Sequence, residues 1–150
     1  MTDFAKNRKA WHDFAIEETY EAGLALTGAE VKSIREGRAN LKESYARVLG
    51  GEVYLIGAHI SPYENARSGE QLPTRDRKLL LHRREIDRLT GKISVEGKTI
   101  IPLKLYSKRG NIKLEVAVAS RKREYDKRRD MARKSAEREM QRAVKESLRR

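Results

Sequence analysis

The last thirty residues contain no glycine and no proline, and they carry 13 Lys/Arg against 6 Asp/Glu, a net charge of +7. The first 120 hold 21 against 16, a net of +5, together with all 10 glycines and all 3 prolines. This division constrains the fold more than any single motif. Turn-formers punctuate the body into short elements, whereas the tail is an uninterrupted run of Arg, Lys, Glu, Ala and Met, which are good helix formers. Its Ala136, Met140, Ala143, Val144 and Leu148 recur at helical spacing, but the stripe is thin and mostly small. The tail therefore reads as a helix in waiting, unstructured alone and ordered against a charged partner; a solvated helix packed on the body is the alternative.

Over the body, residues 1–10 read as a flexible basic arm, and Trp11 to Leu26 as extended chain with Phe14, Ile16 and Tyr20 on one face. Thr27-Gly28-Ala29-Glu30 is a capping-box pattern opening a helix over about 29–36, with Val31 and Ile34 inward and Gly37 ending it. Tyr45–Leu49 and Glu52–Ile60 flank Gly50-Gly51, a two-residue hairpin turn that needs positive φ. Residues 61–76 form a long loop. A helix near Arg83–Leu89 stops at Gly91, and two alternating strands, 98–106 and 112–119, close the sheet. About five or six short strands with short helices make the chain mainly β, an OB-fold-like small barrel; a split α+β sheet fits the same pattern. The division is then a flexible basic arm over 1–10, an OB-fold-like barrel over 11–120, which the charge and motifs below mark as the expected RNA-binding part, and a basic tail over 121–150.

A net charge of +12 points to a polyanion, because each phosphate neutralised by Lys or Arg releases condensed counterions. The tail lacks Trp, Phe and a continuous Leu face, which disfavours a membrane surface. No cysteine means no disulfide framework and no thiolate site, which fits a reducing, cytoplasmic home. No phosphate-cradling glycine motif is present, and His12, His59 and His82 lack metal-ligand spacing. Glu17, Glu18 and Glu21 are the densest acidic cluster, but no second cluster completes a catalytic pair. No enzyme activity, cofactor or metal is expected. The cations are better organised: Arg75-Asp76-Arg77-Lys78, His82-Arg83-Arg84, and the run from Arg121 to Arg129, inside which Tyr125 is the tail's single aromatic and suited to stack on a base.

Four stretches in order, Glu18 to Leu26, Gly28 to Arg35, Arg77 to His82 and Tyr125 to Arg128, resemble the SmpB family of SsrA-binding proteins over about residues 7–129. The resemblance implies an oligonucleotide-binding barrel that binds transfer-messenger RNA where an anticodon stem would stand. It implies a tail that enters the decoding centre of the small ribosomal subunit, against 16S ribosomal RNA, and the empty mRNA channel. Elongation factor Tu and alanyl-tRNA synthetase become partners through the RNA, and the protein acts as a monomer. By position, Asn7, Glu21 and Leu80 match family residues tied to transfer-messenger RNA, and Lys32, Arg35, Arg77 and Lys78 are assigned to the same face. Tyr125, Asp126, Lys127 and Arg128 match the tail motif that works on the ribosome. Ser120-Arg121-Lys122 departs from the family's Gly-Lys-Lys, which implies a stiffer joint. A general ribosome-associated RNA-binding protein or RNA chaperone is the alternative reading.

Overall fold

The structure, a computed structural model, describes residues 2–63 and 72–148; the side chains of residues 124–126 also lie outside the described set. In chain order the elements are β1 (Thr2–Lys6), α1 (Arg8–Asp13), β2 (Phe14–Leu24), α2 (Gly28–Arg35), β3 (Ala39–Asn40), β4 (Tyr45–Leu49) and β5 (Glu52–Ile56). There follow β6 (His59–Ile60), β7 (Arg77–Leu80), α3 (Arg83–Ser94), β8 (Thr99–Lys108), β9 (Asn111–Arg121) and α4 (Glu124–Leu148). The main sheet runs β1-β8-β4-β5-β7-β2-β9, and β8 also pairs β9, so six strands close into a ring with β1 added outside it. Closure removes the exposed edges of a small sheet. The mainly β, barrel-like expectation holds, with β3 and β6 forming a separate two-stranded patch.

Two local signals translate directly. Thr27 caps α2: its hydroxyl accepts from the Glu30 amide at 3.2 Å, and the Glu30 carboxylate accepts from the Thr27 amide at 3.0 Å. Ile34 is fully buried beneath it, and Val31 is half-buried. Gly50 and Gly51 take φ values of 57° and 77°, as the two-residue turn between β4 and β5 requires.

Tertiary structure overrides the sequence in four places. The arm expected to be flexible is ordered over its described residues, 2–10: β1 pairs antiparallel with β8, and α1 begins at Arg8. β8 is long enough to pair β4 at Ile100 and still offer 104–107 of the same edge to β1. The extended reading from Trp11 fails for the same reason, since Trp11–Asp13 complete α1 and β2 starts at Phe14. Helix α3 does not stop at Gly91 but continues to Ser94. One helical glycine costs about 1 kcal/mol, less than the packing of Leu89 and Ile93 against the barrel returns. The second hairpin strand also ends early, at Ile56, because Gly57 turns at φ 80° and sends His59–Ile60 to β3.

The core has two compartments. Ile34, Leu55, Leu79, Leu89, Leu105, Leu114 and Val116 fill the ring, whereas Ile101, Leu103, Ala117 and Ala119 pack outside it with Ala10, Phe14 and Ile16. A bulge in β8 makes this possible. Pro102 faces Val116 and Lys104 faces Glu115, leaving Leu103 as the extra residue and placing Lys104, Tyr106 and Lys108 on one side of the strand beyond it, Tyr106 buried and the two lysines more open. The chain divides into two compact units, Met1–Ser120 and Arg121–Arg150. In the second, α4 is a continuous 25-residue helix rather than unstructured chain, which follows from its uninterrupted helix formers.

Candidate nucleic-acid interface

Strand β2 alternates, with Glu17, Thr19 and Glu21 exposed and Glu18 and Tyr20 half-buried. Glu21 thus stands on the outside of the barrel, where two side chains of β8 reach it past the intervening β9. The Tyr106 hydroxyl donates to the Glu21 carboxylate at 2.5 Å, and the Lys108 ammonium donates to the same oxygen at 3.1 Å. The Tyr106 bond first, and Lys108 second, hold the Glu21 carboxyl below its ordinary range. Burial, reinforced by Glu21, pushes the Tyr106 hydroxyl up, so the pair stays as a neutral donor on a carboxylate. The Lys104 ammonium sits 5.2 Å above the Tyr106 ring centroid.

Beside this clamp β7 crosses β2 with Gly23 opposite Leu80. A Cβ at Gly23 would lie 3.3 Å from the Leu80 Cβ, so glycine here lets the two strands lie with Leu80 across β2. Leu80 remains 53% exposed, an apolar surface with cations around it. It opens onto a recess of about 560 Å³ lined by Glu21, Leu80, Lys78, Arg83, Lys113 and Glu52, among others. Glu21, Lys78 and Leu80 of the expected set therefore come together.

The other expected contacts do not join them. Strand parity puts Lys78 outward and Arg77 inward, and the Arg77 side chain is fully buried. Its guanidinium bonds the Glu30 carboxylate at 2.8 Å and the carbonyls of Ala58 and Pro73 at 2.7 and 3.0 Å. Arg77 is consumed inside the protein and offers no donor to an external phosphate, which corrects its assignment to the RNA face. Asn7 is 7% exposed and likewise spent internally: its side-chain amide donates to the Pro102 carbonyl at 2.9 Å, and its backbone amide to the Leu103 carbonyl at 2.8 Å. Lys32 stands 5.3 Å above the Tyr63 ring, and Arg35 donates to the Gly110 carbonyl at 2.9 Å; neither lines the recess. Lys127 and Arg128 lie near the start of α4, where the Lys127 amide bonds the Arg123 carbonyl and closes the first turn. The side chains of Tyr125 and Asp126 fall outside the described residues.

The three acids grouped in the sequence are separated by their partners. Glu17 pairs with Lys98 at 2.7 Å. Glu18 receives two bonds from Arg88, at 2.7 and 3.1 Å, and one from Tyr20 at 2.7 Å. Arg88 first and Tyr20 second pull the Glu18 carboxyl down to about 2. No two of these carboxylates share a proton or a ligand position, and the described residues hold no metal-binding group of three or more His, Cys, Asp or Glu. Sequence reasoning missed Lys104, Tyr106, Lys108 and Lys113. The Lys-x-Tyr-x-Lys alternation from 104 to 108 is the signal for the first three, hidden because the opposite alternation of Ile101, Leu103 and Leu105 drew the strand assignment.

Comparison with known proteins gives a consistent picture. The family model described as SmpB protein matches residues 4–146. The SsrA-binding protein of Rubrobacter xylanophilus is 73% identical over 150 residues, covering all of both chains. That of Geobacillus thermodenitrificans is 58% identical, over 95% of this chain and 92% of its own. A solved chain, described as "tmRNA-SmpB: a journey to the center of the bacterial ribosome", is 47% identical with a TM-score of 0.65, covering 79% of this chain and 84% of that one.

Proposed function

The chain belongs to the SmpB family, and from that premise we propose that its barrel binds transfer-messenger RNA and brings it to stalled ribosomes for trans-translation. The observation that carries the reading is the recess where Glu21, Leu80 and Lys78 meet. Two acceptor positions of the Glu21 carboxylate are taken by Tyr106 and Lys108, and the remaining lone pairs suit base amino groups or a ribose 2′-hydroxyl. Leu80 supplies apolar contact to a sugar or base. Lys78, Arg83 and Lys113 at the rim suit phosphates, which position the RNA without reading its sequence.

In this reading Asn7 is a positioning residue that fixes α1 to the β8 bulge. Lys32 and Arg35 add charge beside the face, and Arg77 holds the fold. The tail works on the ribosome: Tyr125 stacks on a base of 16S ribosomal RNA in the decoding centre, Asp126, Lys127 and Arg128 follow it, and α4 occupies the vacant mRNA channel. Alanyl-tRNA synthetase and elongation factor Tu act through the RNA. The protein itself catalyses nothing and works as a cytoplasmic monomer; no helix among the described residues is long and apolar enough to cross a membrane.

The test is competition binding of the full chain at roughly 0.2 M salt, where purely ionic complexes weaken by orders of magnitude. The tRNA-like domain of transfer-messenger RNA should outcompete an unrelated structured RNA of equal length by at least about tenfold. Equal affinity would overturn this reading in favour of a general RNA-binding protein.

A further inference from the structure

The sole tryptophan of the chain, Trp11, is 52% exposed, although an aromatic of that size ordinarily supplies core or interface area. It is not loosely held. Helix α1 is tied down at its start by Asn7, whose side chain and backbone amide bond Pro102 and Leu103, and by Ala10, which is buried against the outer compartment of the core. Trp11 lines a recess of about 240 Å³ with Arg8, Lys104, Lys6, Asp3 and Glu115. Asp3 is engaged by Lys6 at 3.5 Å, and Glu115 is the cross-strand partner of Lys104. Arg8 has no ion-pair partner among the described residues, and Lys104 makes only its contact with the Tyr106 ring.

That contact links two regions. Lys104 lies over the buried Tyr106, and Tyr106 bonds Glu21, so a chain of side-chain contacts joins the Trp11 recess to the one that holds Leu80. We propose that Trp11 is a stacking platform for one unpaired nucleotide of the bound RNA, with Arg8 and Lys104 taking the flanking phosphates. The proposal rests on the RNA-binding role argued above and extends that surface across β8 onto α1. The chemistry suits the residue: every base offers a π-face, an indole gives a large rigid partner at little entropic cost, and the cations track the backbone beside it. It also gives the buried Asn7 a reason to matter for RNA, because Asn7 sets the position of the helix that carries the platform.

Because Trp11 is the only tryptophan, indole emission of the full chain reports on this one position. Titration with the tRNA-like domain of transfer-messenger RNA should quench that emission to saturation at one RNA per protein, whereas a fully paired hairpin of equal charge should not. W11A should weaken binding by about 5- to 100-fold with an unchanged salt slope, and W11Y or W11F should restore most of it. R8A should lower the salt slope by about one unit. A far-UV melt checks that W11A remains folded. If wild type binds the domain with no quenching and W11A binds equally well, the platform is refuted while the RNA-binding reading stands. Equal quenching by the paired hairpin also refutes stacking, and a wild type with no preference for the domain sinks the underlying reading instead.

Discussion

Arg77→Ala separates a structural arginine from an RNA-contacting one. The side chain is wholly buried, and its loss strips the Glu30 carboxylate of two close contacts, at 2.6 and 2.8 Å, and removes the guanidinium donors to the Ala58 and Pro73 carbonyls. Removing one partner of a buried ion pair costs about 3–5 kcal/mol, chiefly because the other charge is left uncompensated. Here Glu30 keeps Arg75 at 2.5 Å and the Thr27 amide at 3.0 Å, and the Pro73 carbonyl keeps the Ile60 amide at 2.9 Å, which places the loss toward the lower end, about 3 kcal/mol. For a body of this size that corresponds to a fall of roughly 10–15 °C in melting temperature. The Trp11 emission follows the barrel, because α1 lies in the first compact unit. RNA affinity measured well below the transition should stay within about twofold of wild type. Lys78→Ala, one residue on and facing outward, should show the reverse: little change in melting and weaker RNA binding. The reasoning is refuted if Arg77→Ala melts within about 3 °C of wild type, or if it stays folded yet loses RNA while Lys78→Ala keeps it.

Three further outcomes follow from the same contacts. Glu21→Ala makes the surface more positive, yet it should reduce affinity for the tRNA-like domain by about an order of magnitude, since a charged hydrogen bond is worth about 1.5–3 kcal/mol; tighter binding in a filter assay would contradict the acceptor role. Acid should destabilise the barrel: the Glu18 carboxyl is lowered from 4.5 to about 2, so its contribution is complete above about pH 4.5 and drains away as pH falls toward 2. Glu30 acts in the same direction, burial pushing its carboxyl up but Arg75, Thr27 and Arg77 together holding it down. Melting series from pH 7 to 3 should therefore slope downward below about pH 5, less steeply in Glu18→Gln; equal slopes would remove Glu18 from this account. Deleting 121–150 should leave the barrel's melting and its RNA affinity nearly unchanged while abolishing peptide tagging in a reconstituted translation assay, and loss of RNA binding would break the proposed division of labour.

The legible parts of this fold are those set within a few residues. The Thr27–Glu30 box and the Gly50-Gly51 turn need no distant partner, so their residue types suffice. Arg77 and Lys78 are indistinguishable in sequence because apolar residues follow on both parities of β7, and it is distant partners, the Glu30 carboxylate of α2 and the Ala58 and Pro73 carbonyls, that select which cation turns inward. The N-terminal arm read as mobile because its order comes from an edge of β8 about a hundred residues away. The candidate face was half visible. Glu21, Lys78 and Leu80 carry the family pattern, whereas Tyr106 and Lys108 join Glu21 only through the β8 bulge, a two-against-one count that no local composition announces. The tail motif at Tyr125 and Asp126 is legible in sequence alone, since those side chains lie outside the described residues.

The central claim, that this barrel selects one RNA rather than any polyanion, meets its most direct test in sequencing the RNA that co-purifies with the full chain from a bacterial host at moderate salt. The account predicts that transfer-messenger RNA dominates, enriched far above its share of total RNA, and that the enrichment collapses for a Glu21→Ala, Leu80→Ala double variant that still folds. A co-purifying pool that mirrors total cellular RNA, unchanged by those substitutions, would contradict it.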